Sequence, residues 1–582
     1  MKSKPLQREW DTGALRSRAR LFPTAGVAGA ILAGLTLAPK PAAAASCESL
    51  VNMSMSAGTV TLAESHAAGS YTAPNGTTYP DLPAFCRVAA TLTPTPDSNI
   101  NVEVWMPTSD WNGRYAGTGN GGYAGSINYS ELATTLPLGF AVANTDMGTA
   151  PATALNGKPL VGHPERWIDW GIRSTHLMTV AAKQIVMLFY DQAPQYSYFT
   201  GCSTGGGQAL HEAEQFPADY DGIVGGAPAE NRTHVHTAVL WDYYVTHRSP
   251  DALLPADKAQ LVTKAVLGAC AVQSGGLESD PFLTDPRRCN WDPASLQCSG
   301  GDTSSCLTEG QVQAVKSLYD GPRNPRTGDL IYPGIPRGSE SGSTFDVPTL
   351  EGLSPLFPSS EPLFDGLFYW VFGPGWDWHS FYFDRNVAQV DQVLAASQNA
   401  NSTDLSQFRA HGGKFLMYHG WADALVAPQD TINYFLRLVS RERERGSEGS
   451  AALTQVQQFY RLFMAPGMGH CGGGPGPNVF GGANNPGGAA DPQHNVLLAL
   501  QHWVEDGVAP EEVTATKYVN DAPVQGVAMT RPLCVFPNVP RYVGSGDPND
   551  AANFRCTISR SRNNPMPSPE YLAPNFGEAR FQ

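Results

Sequence analysis

Gly201-Cys202-Ser203-Thr204-Gly205 has the G-x-S-x-G pattern of a nucleophile elbow, the sharp strand-to-helix turn that lifts a serine hydroxyl clear of a sheet edge. A serine hydroxyl is a weak nucleophile until a base takes its proton. His470, in the glycine-rich run Pro466-Gly467-Met468-Gly469-His470-Cys471-Gly472, is the candidate base. In an elbow hydrolase the acid stands between serine and histidine in chain order. Asp423, closing His419-Gly420-Trp421-Ala422-Asp423, fills that place. It would accept from His470 Nδ1, fix the tautomer and stabilise the imidazolium. Asp430 is the nearest alternative, but it falls inside the helical run that follows.

Such a set performs acyl transfer: Ser203 attacks an ester carbonyl, the alcohol leaves, and water activated by His470 cleaves the acyl-serine. The developing oxyanion needs two preorganised N–H donors. One is the backbone N–H of Thr204, and the other is Gly121 or Gly122 in the loop Gly119-Asn120-Gly121-Gly122-Tyr123. Both Ser203 and His470 have a cysteine neighbour. A base within roughly 3 Å of the serine oxygen brings Cys202 and Cys471 toward the roughly 4.4–6.8 Å Cα spacing of a disulfide. One cross-link would then pin nucleophile and base together.

The elements that must position these residues read as a parallel α/β sheet. Phe85–Leu92 and Ile100–Met106 alternate apolar and polar side chains, as half-buried strands do. Arg114–Thr118 is a strand leading into the glycine loop, and Gly139–Asn144 is a compact apolar run suited to a strand buried on both faces. Thr175–Tyr190 places Leu177, Val180, Ala181, Gln184, Ile185 and Leu188 at helical spacing, with Ser174 as N-cap. Tyr196–Thr200 is the strand that ends at the elbow, and Gly207–Glu214 continues it as helix. Strand, helix, strand, elbow, helix is the rhythm of an α/β fold. It lapses from about Asn231 to Ser402, where cysteines, prolines and aromatics crowd together, and resumes with strand Lys414–Tyr418, helix Pro428–Ser440, strand Gln457–Phe463 and helix Asn495–Val504. Residues 46–230 and 403–582 thus read as a catalytic domain interrupted by an inserted domain at 231–402.

Residues 1–45 read as an export signal: a basic start, an apolar run at Ala25–Ala38 and a cleavage site at Ala43-Ala44-Ala45. No later stretch approaches the roughly 20 apolar residues of a membrane span. All ten cysteines lie after this segment, and an even count behind an export signal implies disulfides and a secreted or periplasmic location. Spacing pairs Cys270 with Cys289, Cys298 with Cys306 and Cys534 with Cys556. Residues 46–582 carry 31 Lys+Arg and 51 Asp+Glu, the 38 and 53 of the whole chain less seven and two. That balance excludes polyanionic partners such as nucleic acid. No CxxC pair or HExxH occurs, which argues against zinc.

Taken together, five segments resemble the tannase/feruloyl esterase family, which includes the mono(2-hydroxyethyl) terephthalate hydrolases. They are Gly119-Asn120-Gly121-Gly122, Gly201-Cys202-Ser203-Thr204-Gly205-Gly206, Phe216-Pro217-Ala218-Asp219-Tyr220-Asp221-Gly222-Ile223, His419-Gly420-Trp421-Ala422-Asp423 and Gly467-Met468-Gly469-His470-Cys471. The resemblance implies an α/β-hydrolase core, a large lid formed by the inserted domain, a Ser203–Asp423–His470 triad, and disulfides Cys202–Cys471 and Cys47–Cys86. It also implies a lid calcium loop, and the matching stretch begins at Cys270. There Ala271 and Ser274 stand where acidic ligands belong, leaving Glu278, Asp280 and Asp285 as the available carboxylates. Gly207 departs from the arginine common at its position.

The chain is therefore expected to be a secreted serine esterase acting on small esters of aromatic acids, without an organic cofactor or membrane partner. Trp376, Trp378 and Phe381, in the aromatic stretches of the lid, are candidates to stack on the acyl ring. An esterase for acetyl or aliphatic esters, and a non-catalytic binding protein on a hydrolase scaffold, are the alternatives. The oligomeric state is not legible from the sequence.

Overall fold

A mixed ten-stranded sheet carries the fold. The computed structural model describes residues 46–572 apart from 56, 342, 345–346, 349–360, 448, 484–486, 560–564 and 568, so the export signal expected at 1–45 lies outside the described residues. The strands are β1 (Ser54–Met55), β2 (Gly58–His66), β3 (Phe85–Leu92), β4 (Ile100–Pro107), β5 (Arg114–Thr118), β6 (Ala141–Thr145), β7 (Tyr196–Cys202), β8 (Gly222–Gly226), β9 (Lys414–Gly420) and β10 (Tyr460–Ala465). Their order is β1-β2-β3-β4-β6-β5-β7-β8-β9-β10. Pairing is antiparallel from β1 to the β4–β6 contact and parallel from β6 to β10.

Side-chain alternation explains why the parallel half sits in the middle of the molecule. Tyr198, Val224, Leu416 and Phe463 join one apolar cluster, while their neighbours Phe199, Ile223, Phe415, Met417 and Leu462 join another. A strand with period-two side chains feeds both faces, so both need cover. One face is covered by α1 (Ser174–Tyr190), through Met178, Ala182 and Ile185, and by the helix Pro428–Glu444, through Ile432 and Phe435. The helix Val496–Asp506 covers the other with Leu497, Leu500 and Trp503.

The helix α2 (Thr204–Gln215) follows the elbow, and α3 (Arg232–His247) opens the inserted segment. That segment is more regular than its composition implies, carrying further helices at Ala256–Cys270, Glu309–Asp320 and Asn386–Gln398. It shares one apolar cluster with the loops above the sheet: Val235, Val239, Leu367 and Phe368 meet Tyr123, Met147, Trp170, Leu425 and Val426. All five expected disulfides are formed, Cys47–Cys86, Cys202–Cys471, Cys270–Cys289, Cys298–Cys306 and Cys534–Cys556.

Among the boundaries that differ from the sequence reading, three have a clear local cause. Ser174 does not cap α1, because a π-helical turn at Asp169–Arg173 runs directly into it. The strand expected from Gln457 starts at Tyr460, since Ser450–Gln457 is helical. The strand expected from Gly139 starts at Ala141, because Gly139 turns left-handed (φ +84°) to end a 3-10 turn.

Close approach of α2 to β8 depends on glycine. A Cβ at Gly206 would lie 2.3 Å from the Gly226 carbonyl oxygen and 2.7 Å from Pro228 Cα, both backbone atoms. Overpacking of this kind costs about 1–3 kcal/mol. Gly206→Ala should therefore lower the thermal unfolding midpoint by several degrees, whereas Gly300→Ala, where a Cβ meets nothing within 4 Å, should leave it in place; calorimetry of the two variants checks this.

Candidate active site

Four parallel strands deliver the candidate residues to one edge. Gly119–Gly122 follow β5, Ser203 follows β7, Asp423 follows β9 and His470 follows β10, all beyond the carboxyl ends where open α/β sheets gather their sites. Ser203 adopts φ +64° and ψ −117°, a region that non-glycine residues seldom occupy. Its backbone is held from both sides. The Ser203 N–H donates to the Gly226 carbonyl (3.0 Å), and its own carbonyl accepts from Gly207 N and Ala229 N (3.1 Å each).

Asp423 is sealed from solvent and accepts from four donors. His470 Nδ1 (2.7 Å) and His419 Nε2 (3.0 Å) reach Oδ2, while the backbone N–H groups of Leu425 (2.9 Å) and Val426 (3.0 Å) reach Oδ1. Burial alone would push this carboxyl up. The charge of His470 and the hydrogen bonds from His419 and His470 outweigh it and hold Asp423 below the ordinary carboxylate range. His419 is itself fixed. Its Nε2 faces two acceptors, Asp423 Oδ2 and the Val426 carbonyl (3.0 Å), so that nitrogen carries the hydrogen, and Nδ1 accepts from the Thr431 hydroxyl (2.8 Å). With His470 Nδ1 donating to Asp423, the Nε2 lone pair of His470 is left in the form a general base needs.

Ser203 is joined to this pair covalently. Cys202 and Cys471, the neighbours of Ser203 and His470, form a disulfide with Cα atoms 5.9 Å apart. The bridge ties the turn after β7 to the loop after β10 one residue from each functional side chain. Cys471 also sits at φ +62°, so both ends of the link leave ordinary backbone geometry close by.

Thr204 is the first residue of α2, where an N–H has no intrahelical acceptor. Its hydroxyl ties two loops together: Oγ1 donates to the Gly122 carbonyl (2.8 Å) and accepts from Arg232 Nη1 (2.8 Å). Trp170 Nε1 donates to the same Gly122 carbonyl (3.0 Å). Gly122 has φ +52°, and a Cβ there would lie 1.8 Å from the Ala154 carbonyl oxygen, so only glycine fits. Gly121 stands beside open space instead. Asn120 locks the loop to the elbow, accepting from Gly205 N at its carbonyl (2.8 Å) and donating its own N–H to Gln208 Oε1 (2.9 Å).

A narrow slot begins at Ser203. Gly122, Thr204, Arg232 and His236 supply its polar wall, and Val235, Val239, Phe364, Leu425 and Val426 its apolar one. Its enclosed free space is about 20 Å³ within a cleft of about 330 Å³ that includes open solvent, room for about one water. Burial, with the Arg232 charge beside it, pulls His236 down to about 3, and its Nδ1 donates to the Phe364 carbonyl (2.8 Å) as a neutral imidazole.

Trp376, Trp378 and Phe381 do not line this slot. Trp376 and Phe381 pack on Phe368, with ring centroids 5.1 Å away in each case, and Trp378 packs edge-on against Tyr243 at 5.2 Å. Trp376 and Phe381 are buried in the segment's own core, and Trp378 is half-buried against it. The carboxylates offered for calcium are also engaged. Asp280 accepts from Arg531 Nη2 (2.9 Å) and Leu277 N (2.9 Å), and Asp285 accepts from Arg287 Nε and Nη2 (2.8 Å each) and Ser559 Oγ (2.6 Å). Glu278 is exposed. A hard cation wants carboxylates free of guanidinium partners, so this donor set does not fit it.

Arg232, His236, His419, Trp170 and the Thr204 hydroxyl were not singled out from the sequence. His419 carried a signal, four residues before Asp423 in one motif. Arg232 carried none, since nothing local distinguishes it from a surface arginine.

The family profile for tannase and feruloyl esterase matches residues 86–355 and 364–557. An esterase of Xanthomonas campestris pv. campestris is 39% identical over 533 residues, covering 89% of this chain and 92% of its own. A probable feruloyl esterase B-2 of Aspergillus flavus is 33% identical over 458 residues, covering 78% and 84%. Among solved structures, feruloyl esterase B from Aspergillus oryzae superposes with a TM-score of 0.76 at 27% identity, covering 87% of this chain and 98% of that one.

The disulfide beside both Ser203 and His470 restrains a loop rich in glycine, which would otherwise sample many backbone states. Replacing both cysteines by alanine should lower kcat by tenfold or more while KM moves by less than about threefold, since loss of alignment acts on the transition state. Unchanged kcat with a lower melting temperature would make the bridge a stability device alone.

Proposed function

This chain belongs to the tannase and feruloyl esterase family, and on that premise we propose that it hydrolyses esters of aromatic acids through an acyl-serine intermediate. The observation that carries the reading is the buried Asp423–His470 hydrogen bond, tethered to Ser203 through Cys202–Cys471. In this mechanism His470 Nε2 takes the Ser203 proton as Oγ attacks the ester carbonyl. Asp423 holds the imidazole in place and stabilises its charge. The Thr204 N–H and that of Gly122, which lines the slot where Gly121 does not, stabilise the oxyanion. His470 returns the proton to the leaving alcohol, then activates the water that frees the acid.

The slot supports placement of the acyl ring: four aliphatic side chains and Phe364 face the nucleophile, and the Leu425–Val426 wall belongs to the turn whose amides hold Asp423. A second reading, short acetyl or aliphatic acyl groups, is favoured by the small free space at rest. Export to an oxidising compartment is supported by the five disulfides and by the absence of any free cysteine among the described residues. The region 231–402 is proposed as a lid, since α3 and Phe364 form part of the slot. Calcium is not required, because arginine already neutralises Asp280 and Asp285.

Turnover of methyl ferulate, methyl gallate, mono(2-hydroxyethyl) terephthalate and p-nitrophenyl acetate separates the two readings: an aryl preference supports the first, and hydrolysis of the acetate alone defeats it. A fluorophosphonate should label Ser203, and Ser203→Ala should abolish both labelling and turnover. Chelation with EDTA should leave the melting temperature and activity where they were, whereas a fall in either, restored by calcium, would contradict calcium independence.

A further inference from the structure

Two histidines share one oxygen of the buried carboxylate. His470 Nδ1 reaches Asp423 Oδ2 at 2.7 Å and His419 Nε2 reaches the same atom at 3.0 Å, while the Leu425 and Val426 amides take Oδ1. A carboxylate offers about four acceptor sites, so those of Asp423 are filled and its plane is fixed. Proton transfer from a serine needs only the His470 bond. His419, fully buried on β9, is thus a donor that the triad chemistry leaves unexplained.

Its surroundings fix its proton as firmly as its position. Nε2 faces two acceptors, Asp423 Oδ2 and the Val426 carbonyl, each at 3.0 Å, and Nδ1 accepts from the Thr431 hydroxyl at 2.8 Å. Thr431 stands in the first turns of the helix Pro428–Glu444 and is buried like the ring it holds. A neutral imidazole kept in this tautomer gives Oδ2 a hydrogen bond without adding a charge. It takes up part of the negative charge on the oxygen that faces His470, and it keeps the carboxylate from turning away. The second acceptor of that N–H belongs to Val426, which lines the slot beside Ser203, so one ring ties the acid to the slot wall.

We propose that His419 is a positioning residue for ester hydrolysis: its Nε2–H, held by the Thr431 hydroxyl, orients Asp423 and tempers its pull on the His470 imidazolium. This rests on the proposed acyl-serine mechanism and adds a residue behind its acid. Loss of the donor concentrates the carboxylate's charge on its bond to His470. The imidazolium is then stabilised, and the acid limb of kcat/KM moves to higher pH. Tyr332, from the inserted segment, lies in electrostatic range of Asp423, but burial pushes its phenol far up and it stays neutral. Asp430 and Glu230 stand beyond Tyr332; burial raises Asp430 to about 6 and Glu230 well above the carboxylate range. Asp430 therefore titrates where histidines ordinarily do and needs its own variant.

The test measures kcat, KM and the pH profile of kcat/KM on p-nitrophenyl acetate and methyl ferulate, with fluorophosphonate labelling of Ser203 followed over the same pH range. In His419→Ala, kcat should fall about tenfold or more while KM moves by less than about threefold. Its acid limb should rise by about half a pH unit or more, the size expected for one lost hydrogen bond. His419→Gln, whose amide carries an N–H in place of Nε2, should recover part of the turnover and bring the limb back toward the wild type. Thr431→Val, which keeps the volume but frees the tautomer, should fall between the wild type and His419→Ala, and it carries the test if His419→Ala does not fold. Asp430→Asn should leave the limb in place. A lower melting temperature with an unmoved limb in the His419 and Thr431 variants would make His419 structural only and overturn the proposal, as would a limb that moves with Asp430→Asn. Either result in an active wild type defeats this inference alone. A wild type that hydrolyses neither ester and takes up no fluorophosphonate defeats the parent reading with it.

Discussion

A carboxylate stripped of water must be repaid with hydrogen bonds, and the four donors around Asp423 show how much of this fold is organised by that need. Two donors are backbone amides of the turn it begins, one is a histidine on the preceding strand, and one is the candidate base. Removing any of them leaves a buried lone pair unsatisfied. The carboxylate therefore fixes the turn after β9, the ring of His419 and the ring of His470 at once. The same turn contributes Leu425 and Val426 to the slot, so the slot's apolar wall and the candidate acid are set by one local geometry.

Ser203 is positioned by a second, separate set of constraints. Glycines at 119, 201, 205 and 206 let β5, β7, β8 and α2 approach to backbone contact, and hydrogen bonds from Ser203 N–H and to its carbonyl hold the strained turn. Thr204 then couples the turn to Gly122 and to Arg232. The two sets meet at the Cys202–Cys471 bridge, whose Cα atoms are 5.9 Å apart. The candidate nucleophile and base follow different strands, with β8 and β9 between β7 and β10, and a covalent tie spares the glycine loop from having to find that alignment by packing alone.

Much of the sheet was legible because its physics is local. β3 and β5 were read to the residue, since alternation and flanking turns mark them in sequence. The boundary of α1 was misread because Ser174 resembles an N-cap, while a π turn continues the helix behind it through tertiary packing that no local propensity records. The inserted segment looked irregular because its helices are separated by cysteine-closed loops and stretches rich in aromatics. Trp376, Trp378 and Phe381 stood out only as candidates to stack on an acyl ring, because composition reveals aromatic surface but not which neighbour buries it.

By itself the sequence determined the order of the candidate nucleophile, acid and base, the elbow and its glycines, three cysteine pairs closed over short loops, and the α/β alternation, because each depends on spacing or on residues a few positions apart. Tertiary structure decided what surrounds them. It turned Asp280 onto Arg531 and set an arginine from α3 against the Thr204 hydroxyl. Those contacts join residues up to 251 positions apart, as in Asp280 and Arg531. A charge's meaning is fixed by its distance to other charges and by its removal from water, and neither quantity exists until the chain has folded.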